Sequence, residues 1–223
     1  MTIGDDRNLY PPELFRRQDE SDDSLFYTEP RLVVHIDYEA IGAISQYFSE
    51  ALPQNGVILD LMSSWRSHMP PDLPIDRLIG IGLNAIELAE NPQLDERIVH
   101  DINADPALPI DDGSLDAAVV TVSIQYMVKP VEIFAAVNRA LKPGASFHVI
   151  YSNRMFPTKA IAVWQTLDDR RRAQLIASYF QNSGDDSGGW EDIRAHNITP
   201  QLPHYSDPVY VVAATKSGGA AND

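Results

Sequence analysis

Seven apolar runs of strand length, separated by segments of helical period, constrain this chain more than any other feature. The runs are Val57 to Leu61, Arg77 to Gly82, Arg97 to His100, Leu115 to Val122, Ser146 to Tyr151, Asp192 to His196 and Val209 to Ala214. Helical spacing marks Val34 to Leu52, Ala85 to Glu90, Pro130 to Leu141 and Lys159 to Phe180 between them. Alternation of this kind implies an α/β fold, with a mostly parallel sheet covered by helices on both faces. Pro143-Gly144 stops the third helix and turns the chain into the next strand. The spacing predicts one domain over residues 31–216, preceded by a partly extended arm, 1–30, and followed by a loose tail, 217–223.

Charge and composition exclude several function classes. Seventeen basic against thirty-two acidic residues leave a net charge of -15, a field that repels phosphate backbones and anionic membranes, so nucleic acid is not an expected partner. With no cysteine there is no disulfide, thiolate nucleophile or Cys-ligated metal. The six histidines lack ligand spacing, and no metal site is expected. No run reaches the length of a membrane span and no leader pattern opens the sequence, so a cytoplasmic location is the expectation. There is no Gly-x-Ser-x-Gly and no Gly-x-Gly-x-x-Gly, which removes support for an α/β-hydrolase or a nicotinamide dehydrogenase. Oligomeric state is left open by the sequence.

The chemistry concentrates at Val57-Ile-Leu-Asp-Leu-Met-Ser-Ser-Trp-Arg-Ser-His68. An apolar strand ending in an acid, Asp60, is how many nucleotide-binding folds reach their ligand. Glycines normally follow, so that the backbone can approach without a Cβ in the way. None follows here.

Downstream, Asp101-Ile-Asn-Ala-Asp-Pro-Ala-Leu-Pro-Ile-Asp-Asp-Gly-Ser-Leu-Asp116, then a strand into Ser123-Ile-Gln-Tyr126, then Arg139-Ala-Leu-Lys-Pro-Gly144, resembles the class I S-adenosylmethionine-dependent methyltransferases, in particular the small-molecule branch. The resemblance spans about Val57 to Tyr151 and more loosely reaches Ala214. It implies a Rossmann-like three-layer sandwich, a seven-stranded sheet whose last strand, Val209 to Ala214, runs antiparallel beside the fifth. It implies methyl transfer from S-adenosylmethionine to a small molecule, leaving S-adenosylhomocysteine. Carried over by position, the implied cofactor residues are Asp60, Leu61, Met62 and Ser63, then Gly82, Leu83 and Asn84, then Asp101 with Ile102, and Ser123 with Ile124.

Two departures stand against the family pattern. Gly82 sits where an acid usually takes the ribose hydroxyls, with Asn84 a partial substitute, and Met62-Ser-Ser-Trp-Arg66 replaces the glycine-rich turn. Pro70, Pro71 and Pro74 leave little room for the usual helix between the first two strands. These changes favour the alternative of a catalytically silent methyltransferase-like protein that binds another metabolite or a protein partner. The intact Asp101 to Asp116 block favours the enzyme.

Acceptor selection is expected from the arm and from the segment after the fifth strand. Arg31, His35 and Tyr38, spaced four and three apart at the start of the first helix, form either a substrate wall or a structural cap. His35 is a candidate general base, Tyr126 a group that orients an acceptor, and Arg154 an anion contact or a structurally paired arginine beside Phe156. Arg66 is read either as a surface ion-pair partner or as a ligand-carboxylate contact. Asp111-Asp112-Gly113-Ser114 is a turn, since calcium-ligand spacing is absent.

Overall fold

The computed structural model describes residues 10–184 and 188–218. Seven strands form one sheet: β1 (Val57–Leu61), β2 (Arg77–Gly82), β3 (Glu96–Val99), β4 (Leu115–Thr121), β5 (Leu141–Tyr151), β6 (Trp190–Asn197) and β7 (Tyr210–Lys216). Their order is β3-β2-β1-β4-β5-β7-β6, with β7 antiparallel to both neighbours and the other pairs parallel. β5 starts directly after the preceding helix, and its register slips between Leu141 and Ser146, where Gly144 adopts φ +80°. The order reverses direction between β1 and β4, so their carboxyl ends open a crevice at the switch point.

Side chains alternate across the strands and divide the core in two. One face buries Ile58, Leu78, Ala117, Val119 and Ile150 against Ala40, Ile44, Phe48 and Leu52, a four-residue spacing along and just past α2 (Tyr38–Ala51). The other buries Leu59, Leu61, Ile81, Val120 and Phe147 against α4 (Pro130–Ala140) and α6 (Asp169–Gln181). Two short helices, α1 (Asp23–Phe26) and α3 (Ala85–Ala89), lie at the crevice, and α5 (Ala162–Thr166) precedes α6. Among the described residues no helix is long and apolar enough to cross a membrane.

Three expectations change. The first helix begins at Tyr38 rather than Val34, because Asp37 caps it by accepting from Ala40 N at 2.8 Å. Upstream, the backbone amides of Arg31 and Asp37 are taken by the carboxylates of Glu87 and Asp207, so Arg31, His35 and Tyr38 do not share a helical face, and Tyr38 is 80% exposed. The segment from Lys159 to Phe180 is broken rather than continuous. Ile161 and Ala162 donate to the Gln125 and Arg16 carbonyls, and Asp168 caps α6 through Arg171 N. As the three prolines imply, no helix joins β1 to β2. The proline-bearing coil covers that face instead, with Met69 buried and Leu73 and Ile75 packed on the α2 side.

Candidate active site

The turn after β1 is built around Asp60. Met62 adopts φ +57°, which swings the chain across the end of β2, where Ser63 N donates to Ile81 O at 2.7 Å. Ser63 and Ser67 both donate hydroxyls to Asp60 Oδ2 at 2.6 Å. Asn91, fully buried, donates to Ser67 Oγ and to the Ser64 carbonyl, and Ser64 Oγ donates to Glu87 Oε2. A hydrogen-bonded network thus stands where glycines stand in the family pattern. It also accounts for Gly82, because any Cβ at that position would overlap the Ser63 carbonyl oxygen. The two departures are one feature: the rebuilt turn occupies the space an acid at 82 would need.

Burial pushes the Asp60 carboxyl from 3.8 up to about 6, against the two serine hydroxyls, which pull it down. The folded chain therefore holds more protons here than the unfolded chain between those values. The stabilising contribution is present below pH 3.8 and is lost as pH rises through 6. Asp60→Asn is expected to raise stability on the order of 3 kcal/mol above pH 7 and to gain nothing near pH 4. Thermal melts across that range test it; an equal gain at both ends would show that Asp60 does not titrate in this window.

A cavity of about 310 Å³ opens over the carboxyl ends of β1 to β4. Of the residues named from sequence it is lined by Met62, Ser63, Gly82, Leu83, Asn84, Asp101, Ile102, Ser123, Arg31, His35, Tyr126, Arg154 and Phe156. A recess of about 90 Å³ shares Met62, Ser63, Ser64, His35, Val122 and Ser123 with it and is lined by Asp60, Trp65 and His68. Leu61 and Ile124 line neither; both are buried in the α4-side core. Val122, a β-branched residue at φ 53°, lies between the two spaces, a strained conformation costing about 1–3 kcal/mol.

Individual roles sharpen with their partners. The Asn84 side chain caps α3 by accepting from Ile86 N and Glu87 N and donates to the Tyr27 carbonyl at 2.7 Å, so its carbonyl end is not free to replace a ribose-binding acid. Asp101 Oδ1 accepts from the Asn103 and Ala104 amides. Tyr126 is buried, its phenol is raised above its usual pKa of 10.0 chiefly by desolvation, and its oxygen accepts from Phe156 N at 2.7 Å. His35 sits at the rim edge-on to Phe156, its pKa lowered by desolvation while Glu87 opposes and Arg31 assists. Arg154 Nε pairs with buried Asp207 at 2.9 Å, and the residue lines the cavity. Among the described residues Arg66 contacts no carboxylate. It stacks on Trp65 and donates to the Trp65 and Glu90 carbonyls, while Trp65 Nε1 donates to Val33 O. Among the described residues no group of three His, Asp or Glu side chains could hold a metal ion.

Sequence reasoning missed much of the wall. The arm contributes Arg17, Asp23 and Tyr27, and the segment after β5 contributes Met155 and Lys159. Lys159, 1% exposed, lies 3.1 Å from Asp23 and 3.3 Å from Asp19, and donates to the Ser21 carbonyl. Arg17 grips the same Asp23 at 2.6 Å, and Asn103 donates to it at 2.9 Å. Glu87, 7% exposed, was also missed, although Asn84-x-x-Glu87 is the spacing of a helix-start acid. Instead of folding back on its own helix, Glu87 accepts from Arg31 N and Ser64 Oγ.

Residues 77–149 match a family model described as a methyltransferase domain. No curated protein matches the chain in sequence. Among solved structures, a SAM-dependent methyltransferase from Aquifex aeolicus is similar at 11% identity and TM-score 0.54, over 92% of this chain and 98% of that one. The [4+2]-cyclase SpnF is similar at 13% identity and TM-score 0.58, over 79% and 80%. A Haemonchus contortus phosphoethanolamine N-methyltransferase, in complex with phosphomonomethylethanolamine and S-adenosylhomocysteine, is similar at 11% identity and TM-score 0.53, over 78% of this chain and 52% of that one.

Proposed function

We propose that this chain, a class I S-adenosylmethionine-dependent methyltransferase, transfers the cofactor's methyl group to a small-molecule acceptor bound beneath the N-terminal arm. The carrying observation is the cavity over the carboxyl ends of β1 to β4, lined in order by Met62-Ser63, Gly82-Leu83, Asp101-Ile102 and Ser123. The residues present fit the cofactor: a buried carboxylate, Asp60, lines a recess that shares six lining residues with that cavity and suits a cationic end group. When bound, the cofactor supplies an activated methyl on a sulfonium, so the protein's task is alignment and exclusion of water.

In this reading Asp101 and Ile102 border the adenine, Ser63 presents backbone near the ribose, and Ser123 lies by the reacting end. With the space at Gly82 filled, Glu87 is a buried acid that lines the same cavity. Tyr27 of the arm and His35, with Tyr126 and Phe156, wall the acceptor side. His35 keeps a neutral imidazole near pH 7, as a proton acceptor requires.

The competing reading, a silent relative, draws support from the filled space at Gly82 and from a cyclase with similar architecture. Calorimetry with S-adenosylhomocysteine separates the two. Saturable binding, weakened about tenfold or more by Asp101→Ala, is expected. Absence of binding at millimolar ligand would sink the enzyme reading.

A further inference from the structure

The cations around the cavity are not equivalent. Arg17 and Lys159 share Asp23, and Arg154 is held at Nε by Asp207. Arg31 alone among these four forms no ion pair within the described residues. Its guanidinium carbon lies 4.3 Å from the Phe26 ring centroid, 5.4 Å from Tyr27 and 5.2 Å from Phe156. Among the described residues its side chain makes one hydrogen bond, from Nη2 to the Phe26 carbonyl at 2.9 Å, and Nη1 is buried without a partner. Glu87 is at hand, yet its oxygens are engaged by Arg31's own backbone amide and by Ser64.

A guanidinium has five N–H donors, and a buried donor left unpaired is costly. Stacking on aromatic rings tolerates the charge and fixes its plane, but satisfies none of those donors. The planar fork matches a two-oxygen anion. We propose that Arg31 reads an anionic group on the methyl acceptor, so the acceptor is a small carboxylate or phosphate compound. The inference rests on the methyl-transfer reading for the word acceptor, while the anion site itself does not. In a chain of net charge -15, a lone unpaired cation inside a cavity makes such a site selective as well as attractive.

The test titrates benzoate, benzamide and inorganic phosphate into the protein, with and without saturating S-adenosylhomocysteine. Expected is saturable binding of benzoate or phosphate, with benzamide at least tenfold weaker than benzoate. Which anion binds distinguishes the two sources. Arg31→Gln should weaken the anion tenfold or more while leaving S-adenosylhomocysteine affinity within twofold, and Arg31→Lys should retain part of the binding, which guards against a folding artefact. The proposal is overturned if neither anion binds. It is equally overturned if Arg31→Gln weakens S-adenosylhomocysteine but not 5′-methylthioadenosine, since Arg31 would then hold the cofactor's own carboxylate. Failure of S-adenosylhomocysteine to bind the native chain, with anion binding intact, would remove the methyl-transfer reading and leave the anion site standing.

Discussion

Asp23→Ala is expected to lower the melting temperature by about 10 °C. Asp23 is 5% exposed and is the shared carboxylate of Arg17 and Lys159, themselves 8% and 1% exposed in their side chains. Asp19, 34% exposed, is the remaining carboxylate on Lys159. Removing one member of a buried ion cluster leaves uncompensated charge, at about 3–5 kcal/mol, and each kcal/mol moves the midpoint of a domain this size by about 2–4 °C. Replacing the whole cluster by apolar residues, with Arg17→Met and Lys159→Met added to Asp23→Leu, should recover much of the loss. Differential scanning calorimetry reads both. A drop below about 1 °C for Asp23→Ala would mean the arm is not fastened here.

Gly82→Asp is expected to fail as a repair. It installs the acid that the family pattern calls for, and simple reasoning from sequence predicts tighter cofactor binding. The Ser63 carbonyl already fills that volume, so the turn carrying Ser63 and Ser64 has to move, disturbing the bonds to Asp60 and Glu87. Overpacking of this kind costs about 1–3 kcal/mol. S-adenosylhomocysteine affinity should fall at least tenfold. Gly82→Ala, which adds only the Cβ, should show most of the effect, because the conflict begins at that atom. Tighter binding by Gly82→Asp would refute the interlock.

Strand positions and their parallel order were legible because apolar runs and the Asp101 to Gly144 block encode them locally. The first helix was placed four residues early because its upstream backbone satisfies itself on Glu87 and Asp207, partners distant in sequence. Lys159 stood in the sequence only as the start of a helical segment, for the same reason. Its partners, Asp19 and Asp23, lie in the partly extended arm, and nothing local announces where the two segments meet. Gly82 and Met62 were each visible as anomalies. Their common cause, a carbonyl lying over a missing Cβ, exists only in three dimensions.

The helix-free crossover between β1 and β2 also bears on the order of assembly. It joins adjacent parallel strands through coil residues 62–76, close to the shortest connection that parallel pairing allows. Little chain entropy is lost in closing it, so this pair, with the serine turn inside it, is placed to form early. The opposite wall closes when Lys159 meets Ser21 across a sequence separation of 138. One side of the pocket thus rests on a local connection and the other on a long-range one, and the docked arm completes the wall.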